Sequence, residues 1–306
     1  MLDQMLVLAA IITLGAICHR ISWISHKGAA ELSRLVVNVF NPALILSGAG
    51  YAAKETNLDG IILNFVIASL VFIGLIFVAY LYNNISRTLK DQRPLYALLT
   101  VFPNVGFMGI PVAQSIFGPS IVIDVSIYIL VYNVLIYTYG VYIVQSASDQ
   151  TVTHLNLATL KKLLNPGFMA CLALILVLAT GIKLPKFINN MTLEMGRCAV
   201  VLAMFLIGVS IAQHRLLDII TNRRILTFSL LKMIVLPLLL LGIFRIIGWN
   251  DRVSKLIILM IAMPVGNITA LLALEYGADD TICSRAIVLT TAISLGTLVL
   301  ISHFLG

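Results

Sequence analysis

The strongest constraint on this chain is a series of apolar runs, each long enough to cross a lipid bilayer and each followed by a short polar connection. A helix rises 1.5 Å per residue, so about 20 apolar residues span the hydrocarbon core. Ten segments qualify: residues 4–20, 31–50, 58–82, 95–117, 121–145, 166–183, 196–212, 225–247, 255–275 and 285–304. Only 11% of the residues are charged and 60% are hydrophobic, whereas a soluble domain carries about 25% charged residues. Too few charges remain to cover a water-facing surface. The expectation is an all-α protein of the cell (inner or plasma) membrane, with the lipid bilayer as its main partner.

The start, MLDQMLVLAA, has an aspartate where a signal peptide needs a basic region, so the first run is expected as a retained span. The net charge of +7 comes from basic residues scattered through short loops. They read as topology signals and give no reason to expect a nucleic-acid partner. Cys18, Cys171, Cys198 and Cys283 lack CxxC spacing, so neither a metal site nor a disulfide framework is expected. No cofactor is expected either.

Positive residues orient the spans. With the N-terminus outside, Arg20, Lys27, Arg34, Arg87, Lys90, Arg93, Lys161, Lys162, Arg215, Arg223, Arg224 and Arg285 flank the inner ends. Lys54, Lys183, Lys186, Arg197, Arg245, Arg252 and Lys255 flank the outer ends. The excess inside predicts both termini outside, although the last inner loop, EYGADDTICSR, is acidic.

The longest connection, around SASDQTVTHLNLATLKK, divides the chain into two halves of five spans. Residues 1–146 form the first half, 147–165 a cytoplasmic linker and 166–306 the second half. Five is odd, so related halves would be inverted repeats. Glu31 and Arg34 match Glu194 and Arg197, and Asn104 matches Asn267, at one common offset.

Spans four and nine break their own helices. LYALLTVFPNVGFMGIPVAQSIFG holds Pro103, Asn104 and Gly106; LIILMIAMPVGNITALLALEYG holds Pro264, Gly266 and Asn267. Proline removes a donor and clashes with the carbonyl four residues back. Each unpaired backbone group costs several kcal/mol in hydrocarbon, so a break persists only where protein or water covers it. One proline alone would read as a kink. Two similar breaks in inverted halves predict helices that cross at mid-membrane, with two half-helix N-termini and two asparagines together. Such a place suits a small carboxylate.

At these residues the sequence resembles the auxin efflux carrier family. The resemblance is carried by LSRLVVNVFNPALILSGA (32–49), FPNVGFMGIPVAQSIFG (102–118), YNVLIYTYG (132–140) and MPVGNITALLALEYGAD (264–279), and it runs nearly end to end. It implies ten transmembrane helices as two inverted five-helix repeats with broken helices 4 and 9 crossed. That architecture is shared with sodium/proton antiporters and bile-acid symporters. It implies a scaffold from spans 1, 2, 6 and 7, a transport domain from spans 3–5 and 8–10, and a homodimer through the scaffold. The chain lacks the long hydrophilic loop of many plant members, which favours a compact bacterial type related to malonate and other dicarboxylate permeases.

Further polar residues lie inside the apolar runs. Asn41 and Pro42 interrupt span two, and Ser47 beyond them matches Ser210 at the same offset. They could face substrate or serve packing. In span five, Asp124, Tyr128 and Tyr132 share a helix face, with Asn133 beside it. Asn133 and Tyr128 are candidates for the cavity; Asp124, near the outer end, reads as a solvated carboxylate. Lys232 is the one base well inside a span, where it costs about 2.5–3.5 kcal/mol on insertion scales. It is a candidate partner for a substrate carboxylate.

The five histidines fall in loops or near span ends, and no HExxH or GxSxG motif occurs, so an enzyme is not expected. The predicted function is alternating-access transport of a small organic anion. The rival is a cation/proton antiporter or sodium-coupled symporter of the same architecture, which would be expected to hold buried carboxylates at the crossing.

Overall fold

The computed structural model describes residues 2–51, 58–147, 164–213, 222–249 and 251–305. Lys54, His154, Lys161, Lys162, His214, Arg215 and most of the predicted linker lie outside the described residues. The described chain is helical nearly throughout. Among the described residues six helices are long and apolar enough to cross a membrane: His26–Gly50, Gly60–Ile85, Pro119–Gln145, Lys186–Ala212, Arg223–Ile247 and Asp280–Ile301. Shorter apolar helices run over Leu6–Arg20, Val105–Phe117 and Pro166–Thr180. The predicted runs 95–117 and 255–275 are each split, which is why neither contributes one long helix.

The surface of these helices is suited to lipid. On the helix Leu58–Ile85, Leu63, Phe65, Leu70, Ile73 and Phe77 are exposed, while Ala68, Phe72, Leu75 and Ala79 on the other face are buried. An apolar face of that extent is not tolerated in water.

Among the described residues four five-residue segments wind wider than an α-helix: Val36–Phe40, Val105–Gly109, Ile136–Gly140 and Leu231–Val235. At their ends the N–H of Asn41, Ile110 and Leu236 reaches back five residues, to the carbonyls of Val36, Val105 and Leu231. Three of the four have the same cause in sequence. Pro42, Pro111 and Pro237 each stand two residues past the wide turn. A proline ring clashes with the carbonyl four residues back, and widening the turn relieves that clash without ending the helix. The fourth has no proline. It ends at Gly140, where a Cβ would meet Ile136 Cδ1 at 3.0 Å and the Phe102 ring at 3.2 Å.

Packing links the helices in two ways. Leu2–Arg20 lies along Lys186–Ala212, which also packs on Asn41–Tyr51, and Pro166–Thr180 packs on Asn41–Tyr51. Leu58–Ile85 packs on Arg93–Val101 and Val122–Leu135, and Asp280–Leu305 packs on Arg223–Leu230 and Ile268–Glu275. The first contact is very close. A Cβ on Gly208 would fall 1.8 Å from the Ile12 carbonyl oxygen, and one on Gly15 would fall 2.0 Å from that of Phe205. Only glycine at both positions lets the backbones meet, a usual way for helices to pack in lipid.

Candidate functional site

The helix Arg93–Val101 stops because Phe102 leaves the helical region and Pro103 has no N–H to offer. The helix Arg252–Ile261 stops three residues before Pro264 for the same reason. The two interruptions meet. Pro103 and Val265 form an antiparallel bridge, in which Asn104 N donates to Pro264 O at 2.7 Å and Gly266 N donates to Phe102 O at 2.9 Å. Each break therefore supplies the partners that the other lost. Val265 N donates to Thr290 Oγ1 at 3.1 Å, and Thr290 Oγ1 donates in turn to Ala286 O at 2.7 Å.

The crossing is buttressed from behind. Phe102 is fully buried, edge-on to Tyr132 with ring centroids 5.5 Å apart, and Tyr132 is edge-on to Phe72 at 6.1 Å. Gly266 sits under this wall. A Cβ there would lie 2.9 Å from the Tyr132 hydroxyl and 3.1 Å from Phe102 O. Gly106 is different: a Cβ there would meet nothing within 4 Å.

Beyond the crossing the chain re-enters helix at Val105 and at Ile268. Asn104 Oδ1 accepts from Phe107 N at 3.3 Å and caps its own second half-helix. Asn267 stands at the equivalent N-terminus, is exposed and does not cap its helix. Both asparagines line one cavity of about 190 Å³, with His26, Ser33, Ser210, Gln213 and Thr291 among its other walls. Hydroxyls, amides and one imidazole supply its polar groups; no carboxylate, lysine or arginine lines it among the described residues.

Of the residues singled out in sequence, Asn104, Asn267 and Ser210 meet at this cavity. Ser47 lines a second cavity of about 290 Å³, with Leu44, Gln114, Leu193, Gly196 and Arg197. Asn133 lies elsewhere: Asn165 Nδ2 donates to its Oδ1 at 2.8 Å, and its own Nδ2 donates to Ile129 O at 2.8 Å. Tyr128 is buried and its hydroxyl has no hydrogen-bond partner among the described residues. Asn41 is half-buried on the helical run that follows the first wide turn and lines neither cavity. Lys232 is fully buried and donates to Thr100 O at 3.2 Å. Asp124 is held by two partners, accepting from Asn64 Nδ2 at 2.7 Å and pairing with Arg252 at 3.4 Å. His26, Ser33, Gln213, Thr290 and Thr291 were not singled out, because each sits at a helix end or among ordinary hydroxyls in a span.

The comparisons with known proteins give the family. The family model described as membrane transport protein matches residues 1–302. The chain belongs to that family, which is the auxin efflux carrier family that the motifs resemble. The transporter is 23% identical over 304 residues to an uncharacterized transporter of Methanothermobacter thermautotrophicus, covering 97% of this chain and 95% of the relative. It is 25% identical over 270 residues to the uncharacterized transporter YfdV of Escherichia coli strain K12, covering 86% of this chain and 84% of the relative. Transport through the membrane, rather than catalysis, is thus the activity that the relatives' names suggest.

The cavity at Asn104 and Asn267 and the cavity at Ser47 use matching positions. Ala30, Ser33, Ile207 and Ser210 line the first; Leu193, Gly196, Leu44 and Ser47 line the second. Every member of one set lies the same distance in sequence from a member of the other, as 207 does from 44 and 193 from 30. The two cavities sit at opposite ends of the pair formed by helical runs 26–51 and 186–212.

Proposed function

We propose that the transporter carries a small organic anion, a carboxylate, by alternating access, with the substrate held at the crossing of the two broken runs. The observation that carries this reading is the pairing of the breaks around Pro103 and Val265, with Asn104 and Asn267 opening together into one cavity whose described lining holds no carboxylate, lysine or arginine. Half-helix N-termini offer N–H groups and partial positive charge to an anion. Asparagine adds donors that can follow either carboxylate oxygen. Among the described residues the lining holds no carboxylate, which suits it poorly to a bare cation.

The ten-span reading with inverted repeats is part of this proposal. It is supported by the matched positions around the two cavities, which are what two opposite-facing halves would place at the two mouths of one pathway. On this reading spans 1, 2, 6 and 7 are the fixed scaffold, spans 3–5 and 8–10 carry the crossing, and the cavity at Asn104 and Asn267 opens to the cytoplasm.

The test is counterflow in proteoliposomes against a panel of mono- and dicarboxylates, with and without sodium or a pH gradient. Asn104→Ala and Asn267→Ala should each reduce carboxylate flux at least tenfold while the protein still elutes as folded material. Wild-type flux in both variants would remove the site.

A further inference from the structure

The break at Pro103 leaves a specific debt of hydrogen bonds at the end of the helix Arg93–Val101. In a continuous helix the carbonyl of Thr100 would accept from the N–H of residue 104. Here that N–H is turned to Pro264 O. The N–H of Val105, which would have served Val101, goes to Pro103 O at 2.9 Å. Thr100 O is left without its helical donor inside a fully buried stretch of chain.

Lys232 takes that place. Its Nζ donates to Thr100 O at 3.2 Å, and this is its one hydrogen bond among the described residues. No carboxylate among them pairs with it. The wide turn Leu231–Val235, caused by Pro237, carries the side chain. A lysine suits this end of a helix, where the carbonyls gather partial negative charge. At the other broken run a neutral group meets the opposite need: Thr290 Oγ1 accepts from Val265 N, a donor rather than an acceptor left by the break.

We propose that Lys232 is a positioning residue for transport: it replaces the missing N–H at Thr100, fixes where the helix Arg93–Val101 ends, and so sets the place of Asn104 in the cavity. It acts through the backbone of residues 100–104 and not by touching substrate. The inference rests on the reading of the crossing as the substrate site for its consequence in transport, and on geometry alone for its effect on the break.

The deciding experiment is hydrogen–deuterium exchange on the purified full chain in detergent. In Lys232→Met, peptides over residues 98–109 should exchange at least tenfold faster than in the wild type, with peptides over residues 196–209 unchanged. Wild-type exchange over 98–109 in the folded methionine variant would overturn the inference. If only Lys232→Gln folds, its shorter side chain should still raise exchange over 98–109 alone, and exchange unchanged there, or a rise that spreads to 196–209, overturns the inference. Failure of both to fold would make Lys232 a general packing requirement and would also overturn it. Transport gives the second readout. In counterflow with the best carboxylate of the panel, Lys232→Met should raise KM at least tenfold and Lys232→Arg should return it to within threefold of wild type; an unchanged KM in Lys232→Met removes the link to the site. Exchange needs no substrate, so failure of this inference and failure of the asparagine site are told apart.

Discussion

The amide nitrogen of Asn104 lies 2.7 Å from the carbonyl oxygen of Pro264, so the residue that opens one broken helix is hydrogen-bonded to the residue that breaks the other. Neither break is stable in lipid alone, because each would leave several backbone groups unpaired. Together they form a short antiparallel pairing that is closed to solvent on one side by Phe102 and Tyr132 and open on the other to the cavity. Local sequence creates the two interruptions; tertiary packing makes them tolerable; the cavity follows from both.

The two glycines of the breaks should behave differently. Gly266→Ala places a methyl group 2.9 Å from the Tyr132 hydroxyl and 3.2 Å from Pro103 O, with backbone on one side that cannot yield cheaply. Overpacking of this kind costs about 1–3 kcal/mol. Gly106→Ala meets nothing within 4 Å, and its backbone is not in the left-handed region. Thermal melting of the purified variants should show a clear loss for Gly266→Ala and little change for Gly106→Ala. Equal behaviour of the two would contradict the crossing geometry.

Gly15 and Gly208 make a second such test, away from the site. Alanine at Gly208 would drive its Cβ onto the Ile12 carbonyl, so the helices Leu2–Arg20 and Lys186–Ala212 must separate. The expected cost is about 1–3 kcal/mol or more. Gly74→Ala is the matched control, since it has open space around it. Melting temperatures of the three variants in one detergent decide the matter.

What was legible in the sequence is what short-range chemistry dictates. Pro103, Pro264 and their neighbouring glycine and asparagine announce interruptions, because proline breaks a helix whatever surrounds it. The wide turns before Pro42, Pro111 and Pro237 follow the same rule, although a sequence alone does not say whether a proline will stop a helix or widen it. The fate of single polar side chains was less legible. Asn133 reads as a cavity residue, yet its amide joins Ile129 and Asn165, a partner 32 positions away. Asp124 reads as solvated, yet it is held by Asn64 and Arg252. His26 and Gln213 enter the lining because two antiparallel helices end at the same mouth, which no local pattern records.

Asp251 caps the helix Arg252–Ile261, the first half of the second broken run, by accepting from Ser254 N at 2.8 Å. Slight burial pushes its carboxyl up, but hydrogen bonds from Ser254 and Trp249 outweigh that, and its pKa is lowered from the ordinary value. A carboxyl lowered by folding contributes stability above its unfolded pKa of about 4, and loses it as pH falls through the lower folded value. Asp251→Ala should therefore cost about 1 kcal/mol at neutral pH. The difference from wild type in melting should stay constant between about pH 8 and pH 5 and shrink only below about pH 4. A difference that grows on acidification would have the wrong sign for this cap.

The direction in which the first cavity opens can be read from chemical labelling. Arg224 Nη1 donates to Gln92 Oε1 at 3.4 Å, so the turns near residues 84–92 and 222–224 lie on one side of the bundle. The basic-residue bias predicts that this side is cytoplasmic. Single cysteines at Asn84, which is exposed, and at Asn222 should then resist a membrane-impermeant maleimide in intact cells and react after permeabilisation. Cys198 is exposed and Cys18 half-buried, so both must first be replaced, whereas Cys171 and Cys283 are buried and can stay. Labelling of both positions from outside would invert the transporter, place the cavity at Asn104 and Asn267 on the external face, and make Ser47 and Gln114 part of the cytoplasmic mouth.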